Sequence, residues 1–127
     1  MIYLDEEEIL FIHNRMIESY GGSHGSRDLQ RIKSVVQAPK QEVFGEEQYK
    51  TVFEKAAVYA RNIISDHPFV DGNKRTGITA ALIFIEKNGY KVTAKLGEIE
   101  DFAVYVATKK PSIEEIAKWL KTHSKWR

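Results

Sequence analysis

The chain has 127 residues, with 19 Lys plus Arg against 18 Asp plus Glu, so no global basic field exists for gripping nucleic acid directly. At 43% hydrophobic and 29% charged it has the make-up of one ordinary globular domain, here taken as residues 1–127. It contains no cysteine, which excludes disulfides and thiolate zinc sites and suits a reducing compartment.

The start, "MIYLDEEEIL", is acidic and lacks the basic-then-apolar form of a signal peptide. No run of about eighteen apolar residues is present to span a membrane. These features predict a soluble, cytoplasmic protein with no membrane contact. Asp5 is placed to cap a first helix to about Tyr20, with Ile9, Ile12, Met16 and Tyr20 on one face and Gly21-Gly22 as the stop. Asp28 is placed to cap a second, shorter helix ending before Pro39. "PKQEVFGEEQ" then reads as a connecting loop or a short hairpin.

A third helix is expected from about Tyr49 to Asp66, where Val52, Phe53, Ala56, Tyr59, Ala60, Ile63 and Ile64 form a wide apolar stripe. After Pro68 a fourth helix runs from near Asn73 to Asn88, with Gly89 in the C′ position. Its middle, "ITAALIFIE", is apolar nearly all round, which predicts the buried centre of the domain. "YKVT" reads as a short strand, and Ile99, Phe102, Ala103 and Val106 mark a fifth helix. Ser112 and Glu115 have the capping-box spacing for a sixth, packing through Ile113, Ile116, Ala117 and Leu120. The tail "KTHSKWR" reads as a solvated end. The fold class is therefore all-α, a bundle of about six helices around a buried central one, with a short strand or hairpin.

Between the third and fourth helices lies "HPFVDGNKRTG", residues 67–77. Gly72-Asn73 leads directly into a helix start, where unpaired backbone N–H groups and the helix dipole favour an anion. Gly72 has no side chain to keep a phosphate from the backbone. Lys74 and Arg75 put two cations where the dipole makes cations unfavourable, which suggests that something negative is expected there. Asp71 is a hard oxygen ligand of the kind Mg²⁺ needs to bridge a carboxylate and a nucleotide's phosphates. His67 carries the side chain most often used for general-base work, which makes it a candidate base for an incoming hydroxyl. Phosphoryl transfer asks chiefly for positioning and charge neutralisation, and these residue types supply both. Each has a plainer reading too: His67 as a helix C-cap, Asp71-Gly72 as a turn, Asn73 as an N-cap, Lys74 and Arg75 as solvated surface. "GNKRTG" is not a P-loop, and no HExxH zinc motif exists. His13, His24 and His123 have no ligand spacing and read as surface or helix-packing residues.

"HPFVDGNKRTG" closely resembles the signature of the Fic/Doc superfamily, H-x-F-x-D/E-G-N-G/K-R. The stretches "GSRDLQRIKSVVQAP", "PKQEVFGEEQYKTVFEKAA" and "LIFIEKNGY" extend the resemblance, to its Doc (death-on-curing) branch, over nearly the whole chain. The resemblance implies a Fic fold, with His67 as catalytic base, Phe69 packing inward to hold the loop and Asp71 binding Mg²⁺. It implies that Gly72, Asn73 and Lys74 form the anion-binding turn and that Arg75 neutralises the charge of the transferring phosphate. The loop from about Pro39 to Gln48 would be the flap that aligns the target's backbone.

Two positions depart from the AMP-transferring Fic pattern: Lys74 stands where that pattern has glycine, and Ile78 where it has a second arginine. Both departures are Doc-like, and imply an ATP bound in the reverse sense that donates its γ-phosphate to a Ser/Thr hydroxyl of a protein. By the same likeness the chain is the toxin of a toxin–antitoxin pair that blocks translation by modifying elongation factor Tu. The Fic-type inhibitory motif S/T-x-x-x-E-G/N is absent, so inhibition is expected from a Phd-like antitoxin protein. The competing readings are an AMP transferase using the same residues and an inactive Fic-like scaffold that only binds partners.

Overall fold

Side-chain caps set most of the helix starts. In the computed structural model, which describes residues 1–127, Asp5 caps α1 (Glu6–Tyr20) in a full capping box with Glu8. Asp28 caps α2 (Leu29–Gln37) by accepting the Gln30 N–H, and a 3₁₀ turn at Ala38–Lys40 follows around the buried Pro39. A hairpin of two very short strands, β1 (Glu42–Val43) and β2 (Glu46–Glu47), leads to α3 (Val52–Asp66). Then come α4 (Asn73–Lys87), β3 (Tyr90–Val92), α5 (Leu96–Lys109), α6 (Ile113–Thr122) and β4 (Ser124–Trp126).

The all-α bundle expected from the sequence is present, with α3 lying beside α4 at its centre. The two helices pack so closely that a Cβ on Gly77 would sit 2.6 Å from Ile64 Cγ1 and 3.0 Å from the Ala60 carbonyl oxygen. Around this pair α1 and α5 lie against α4, and α2 and α6 against α3. A cluster of 25 buried residues, from Leu4 to Leu120, forms the hydrophobic core.

Four local expectations change. Helix α3 starts at Val52 with Thr51 as its N-cap, because the Tyr49 carbonyl is taken by the buried Lys55 ammonium instead of opening a helix. On α1 the buried face carries Ile9, Ile12, His13 and Ile17, which leaves Tyr20 exposed beside Arg75. Ser112 caps α6, but the Glu115 carboxylate accepts the Tyr105 hydroxyl rather than closing a capping box. The tail is mostly exposed, as expected, but it is no loose end: β4 pairs antiparallel with β3, and Trp126 packs edge-on against Tyr90 and beside Gly89.

Candidate active site

The loop joining α3 to α4 is built from its anchors outward. Phe69 is fully buried, and its ring stacks on that of His13 with centroids 3.8 Å apart. The Asn73 side chain turns back into the loop, where its Oδ1 accepts the Phe69 N–H (3.1 Å) and its Nδ2 donates to the Phe69 carbonyl (3.0 Å). The segment before α2 forms a bridge along the same residue: Arg27 N–H donates to the Pro68 carbonyl at 2.7 Å, and Val70 N–H to the Gly25 carbonyl at 3.1 Å. His13 Nε2 then lies 2.8 Å from the Asp71 carbonyl, and the Ser23 N–H donates to Asp71 Oδ2 at 3.1 Å. The carbonyl can only accept, so the His13 proton sits on Nε2. Burial holds the His13 pKa below its ordinary value, against the opposing effect of the bond to the Asp71 carbonyl.

Gly72 precedes α4 with φ of 76°, in the left-handed region open to glycine, and a Cβ there would meet Ile17 Cδ1 at 3.0 Å. No side chain caps α4, in contrast to α1, α2, α3 and α6. Its first N–H groups are therefore open at the mouth of a cleft of about 230 Å³. Asp71, Gly72, Asn73, Lys74 and Arg75 line one side of that cleft, and Ile99 and Ala103 of α5 line the other. Neither Lys74 nor Arg75 has an acidic partner; the Arg75 guanidinium instead lies over the Tyr20 ring, 4.2 Å from its centroid. Ile78, almost fully buried, also lines the cleft. Glu100 on α5 is the one wall residue besides Asp71 whose charge opposes an anion.

His67 is exposed and stands at the end of α3 in the left-handed conformation, φ 49° and ψ 60°. It lines a separate polar hollow with Gln30, Arg31 and Asp66. Arg31 donates from one guanidinium nitrogen to the carbonyls of Asp66 (3.1 Å) and His67 (3.4 Å).

The structure thus brings Asp71, Gly72, Lys74 and Arg75 together at one cleft and sets His67 at the other end of the same loop. Asn73 contributes a backbone N–H there, while its amide serves the loop. The residues that hold the loop (His13, Ser23 and Arg31) are not marked by the motif. His13 carried one signal, because it shares the four-residue spacing of Ile9 and Ile17 on the apolar face of α1.

Residues 3–85 match the sequence profile of the Fic/DOC family. The chain is 32% identical over 121 residues to "Protein kinase doc" of Escherichia phage P1, covering 95% of this chain and 94% of that protein. It is also 32% identical over 117 residues to "Toxin Doc" of Mycolicibacterium smegmatis, covering 91% and 88% respectively. The chain belongs to the Fic/DOC family. Loop and cleft together span the family signature, from His67 at the helix end to Arg75 in the first turn of α4. The hairpin expected to serve as a flap is also present, with Phe44 fully exposed at its tip. Its root is tied down at Lys55, whose ammonium bonds to Glu47 Oε1 at 3.0 Å and to the carbonyls of Pro39 and Tyr49. Lys55 lies twelve residues before His67 on α3, so that root is about 18 Å from the loop along the helix. No helix is long and apolar enough to cross a membrane.

Proposed function

We propose that this protein is a toxin of a toxin–antitoxin pair that transfers the γ-phosphate of ATP to a Ser/Thr hydroxyl of a target protein, with elongation factor Tu as that target. The observation that carries the reading is the uncapped start of α4, opening into a cleft with two unpaired cations beside the Asp71 carboxylate. The names of the two relatives, a protein kinase and a toxin, support the same reading.

Asp71 suits Mg²⁺. Its Oδ2 takes the Ser23 N–H, its Oδ1 has no hydrogen-bond partner in the protein, and no group of three acidic or histidine side chains gathers nearby to form a protein cage. A single carboxylate oxygen, with phosphate and water for the rest, is a usual Mg²⁺ arrangement. When bound, the ion would supply positive charge that neutralises phosphate charge. The backbone N–H groups of Asn73 and Lys74 would hold a phosphate at the dipole's positive end, and Arg75 would take up charge on the transferring group. His67 would remove the proton from the target hydroxyl as its oxygen attacks phosphorus. Lys74 fills with a long cationic side chain the space that glycine leaves open in AMP-transferring relatives, and Ile78 removes the second arginine. Together these favour the γ-phosphate as the group presented.

The antitoxin would lie in the groove between α1 and α4, which Phe11, Ile12, Arg15 and Ile83 line. Met16 and Thr79 line both that groove and the phosphate cleft, so an amphipathic segment seated there would reach the nucleotide site. The deciding experiment incubates the protein with elongation factor Tu, Mg²⁺ and ATP labelled at either the α- or the γ-position, with His67→Ala as control. Label from the γ-position, lost in His67→Ala, is the expected result. Label from the α-position would establish the AMP transferase instead, and no label from either would leave a binding scaffold.

A further inference from the structure

We propose that Arg31 is a positioning residue for His67, holding the backbone carbonyls on either side of it at a helix end that Pro68 cannot close. The proposal rests on His67 being the base.

A helix that ends in the left-handed conformation ordinarily closes its last carbonyls with N–H groups from the residues that follow. Here the left-handed residue is His67, and the next residue is Pro68, which has no N–H. The proline also crowds the residue before it, pushing that residue toward extended backbone. His67 therefore sits in a conformation that its side chain disfavours and that its neighbour cannot stabilise. Arg31 reaches in from another helix and donates to the carbonyls of Asp66 and His67 at 3.1 and 3.4 Å, which holds the backbone on both sides of the left-handed residue.

Nothing else accounts for the guanidinium's position. Arg31 forms no ion pair, so the Asp66 carboxylate is not its partner. The hollow around it is lined by polar side chains alone, so apolar packing of its stem does not hold it there. Its neighbours on α2 (Ile32, Val35 and Val36) are buried against the bundle, which fixes the helix from which it reaches. The bridge from Gly25–Arg27 to Pro68–Val70 holds the next residues of the same loop. Arg31 thus holds the peptide on each side of His67, just ahead of the stretch that the bridge holds. A base displaced by about 1 Å loses up to a hundredfold in rate, which makes the orientation of the His67 backbone matter to turnover.

The test uses Arg31→Ala, Arg31→Lys and His67→Ala in the full chain. The first readout needs no reaction: the imidazole NMR signals of the four histidines. In Arg31→Ala the His67 signal is expected to shift and broaden while that of His123, at the far end of the bundle, stays in place. The second readout is turnover of the γ-phosphate transfer. Arg31→Ala is expected to lower kcat between about ten- and a hundredfold with KM for ATP unchanged, since the cleft lies on other residues. Arg31→Lys, which keeps one donor arm, is expected to recover part of the loss, and millimolar guanidinium is expected to rescue Arg31→Ala but not His67→Ala. An unmoved His67 signal in Arg31→Ala would overturn the proposal, as would a kcat loss that merely follows a loss of folded protein. Activity retained in His67→Ala would overturn the assignment of the base, and the NMR result would still report separately on whether Arg31 sets that residue's conformation.

Discussion

Asn73 separates two meanings of the same residue. In the anion-binding reading its amide is free to meet a phosphate, whereas the structure spends both ends of that amide on Phe69. Asn73→Ala would leave the Phe69 N–H and carbonyl without partners, and Phe69 is fully buried. Each unpaired buried group costs about 1–3 kcal/mol, so the loss works out at about 2–4 kcal/mol once partial access to water near the loop is allowed. That is a large share of the roughly 5–15 kcal/mol that holds a domain together. Asn73→Asp is expected to recover little, because it keeps an acceptor for the N–H but sets a carboxylate oxygen against the Phe69 carbonyl. The assay is urea unfolding followed by circular dichroism, paired with calorimetric titration of Mg²⁺–ATP. An Asn73→Ala protein that unfolds at the parent's urea concentration while losing ATP affinity would refute the reasoning and return the side chain to the phosphate.

Three further outcomes follow from the packing. Gly77→Val is expected to cost about 3 kcal/mol through overpacking of the α3–α4 contact, and Gly77→Ala less, because the gain in helix propensity of about 1 kcal/mol offsets part of the clash; a valine variant as stable as the parent would show that the helices separate easily. Burial keeps the folded His13 pKa below its unfolded value of about 6.5, so between the two values the unfolded chain binds more protons. The stability contributed by the neutral ring is whole above the unfolded value and lost as pH falls toward the folded one. Parent and His13→Gln should therefore diverge in urea titrations across that range, and parallel curves would remove His13 from the acid response. Lys55→Met is expected to loosen the hairpin at its root, read as faster amide exchange over residues 41–48 with exchange in α4 unchanged; unchanged exchange in the hairpin would mean that its own short ladder suffices.

The sequence was most legible where a structural decision is made within a few residues. Asp5, Asp28 and Ser112 cap the helices assigned to them because a cap reaches only two or three residues along the chain. Strand β4 was not legible, since three residues carry no period and their pairing with Tyr90–Val92 spans more than thirty positions. The start of α3 was misplaced for a similar reason: Lys55, an ordinary surface residue by type, is buried and claims the Tyr49 carbonyl.

The site divides along the same line. Its chemistry is compressed into residues 67–75, and residue types alone point to phosphate there. Its orientation comes from His13, Ser23 and Arg31, which reach the loop across 58, 48 and 36 positions and whose types say nothing of that task. Phosphoryl transfer depends on where the groups stand as much as on what they are. A chain that kept all of "HPFVDGNKR" but lost the stacking of His13 on Phe69 and the Arg31 donors would still carry the signature. Its Asp71 and His67 would then lose the anchors that set them, and with them the geometry that the proposed phosphate transfer needs.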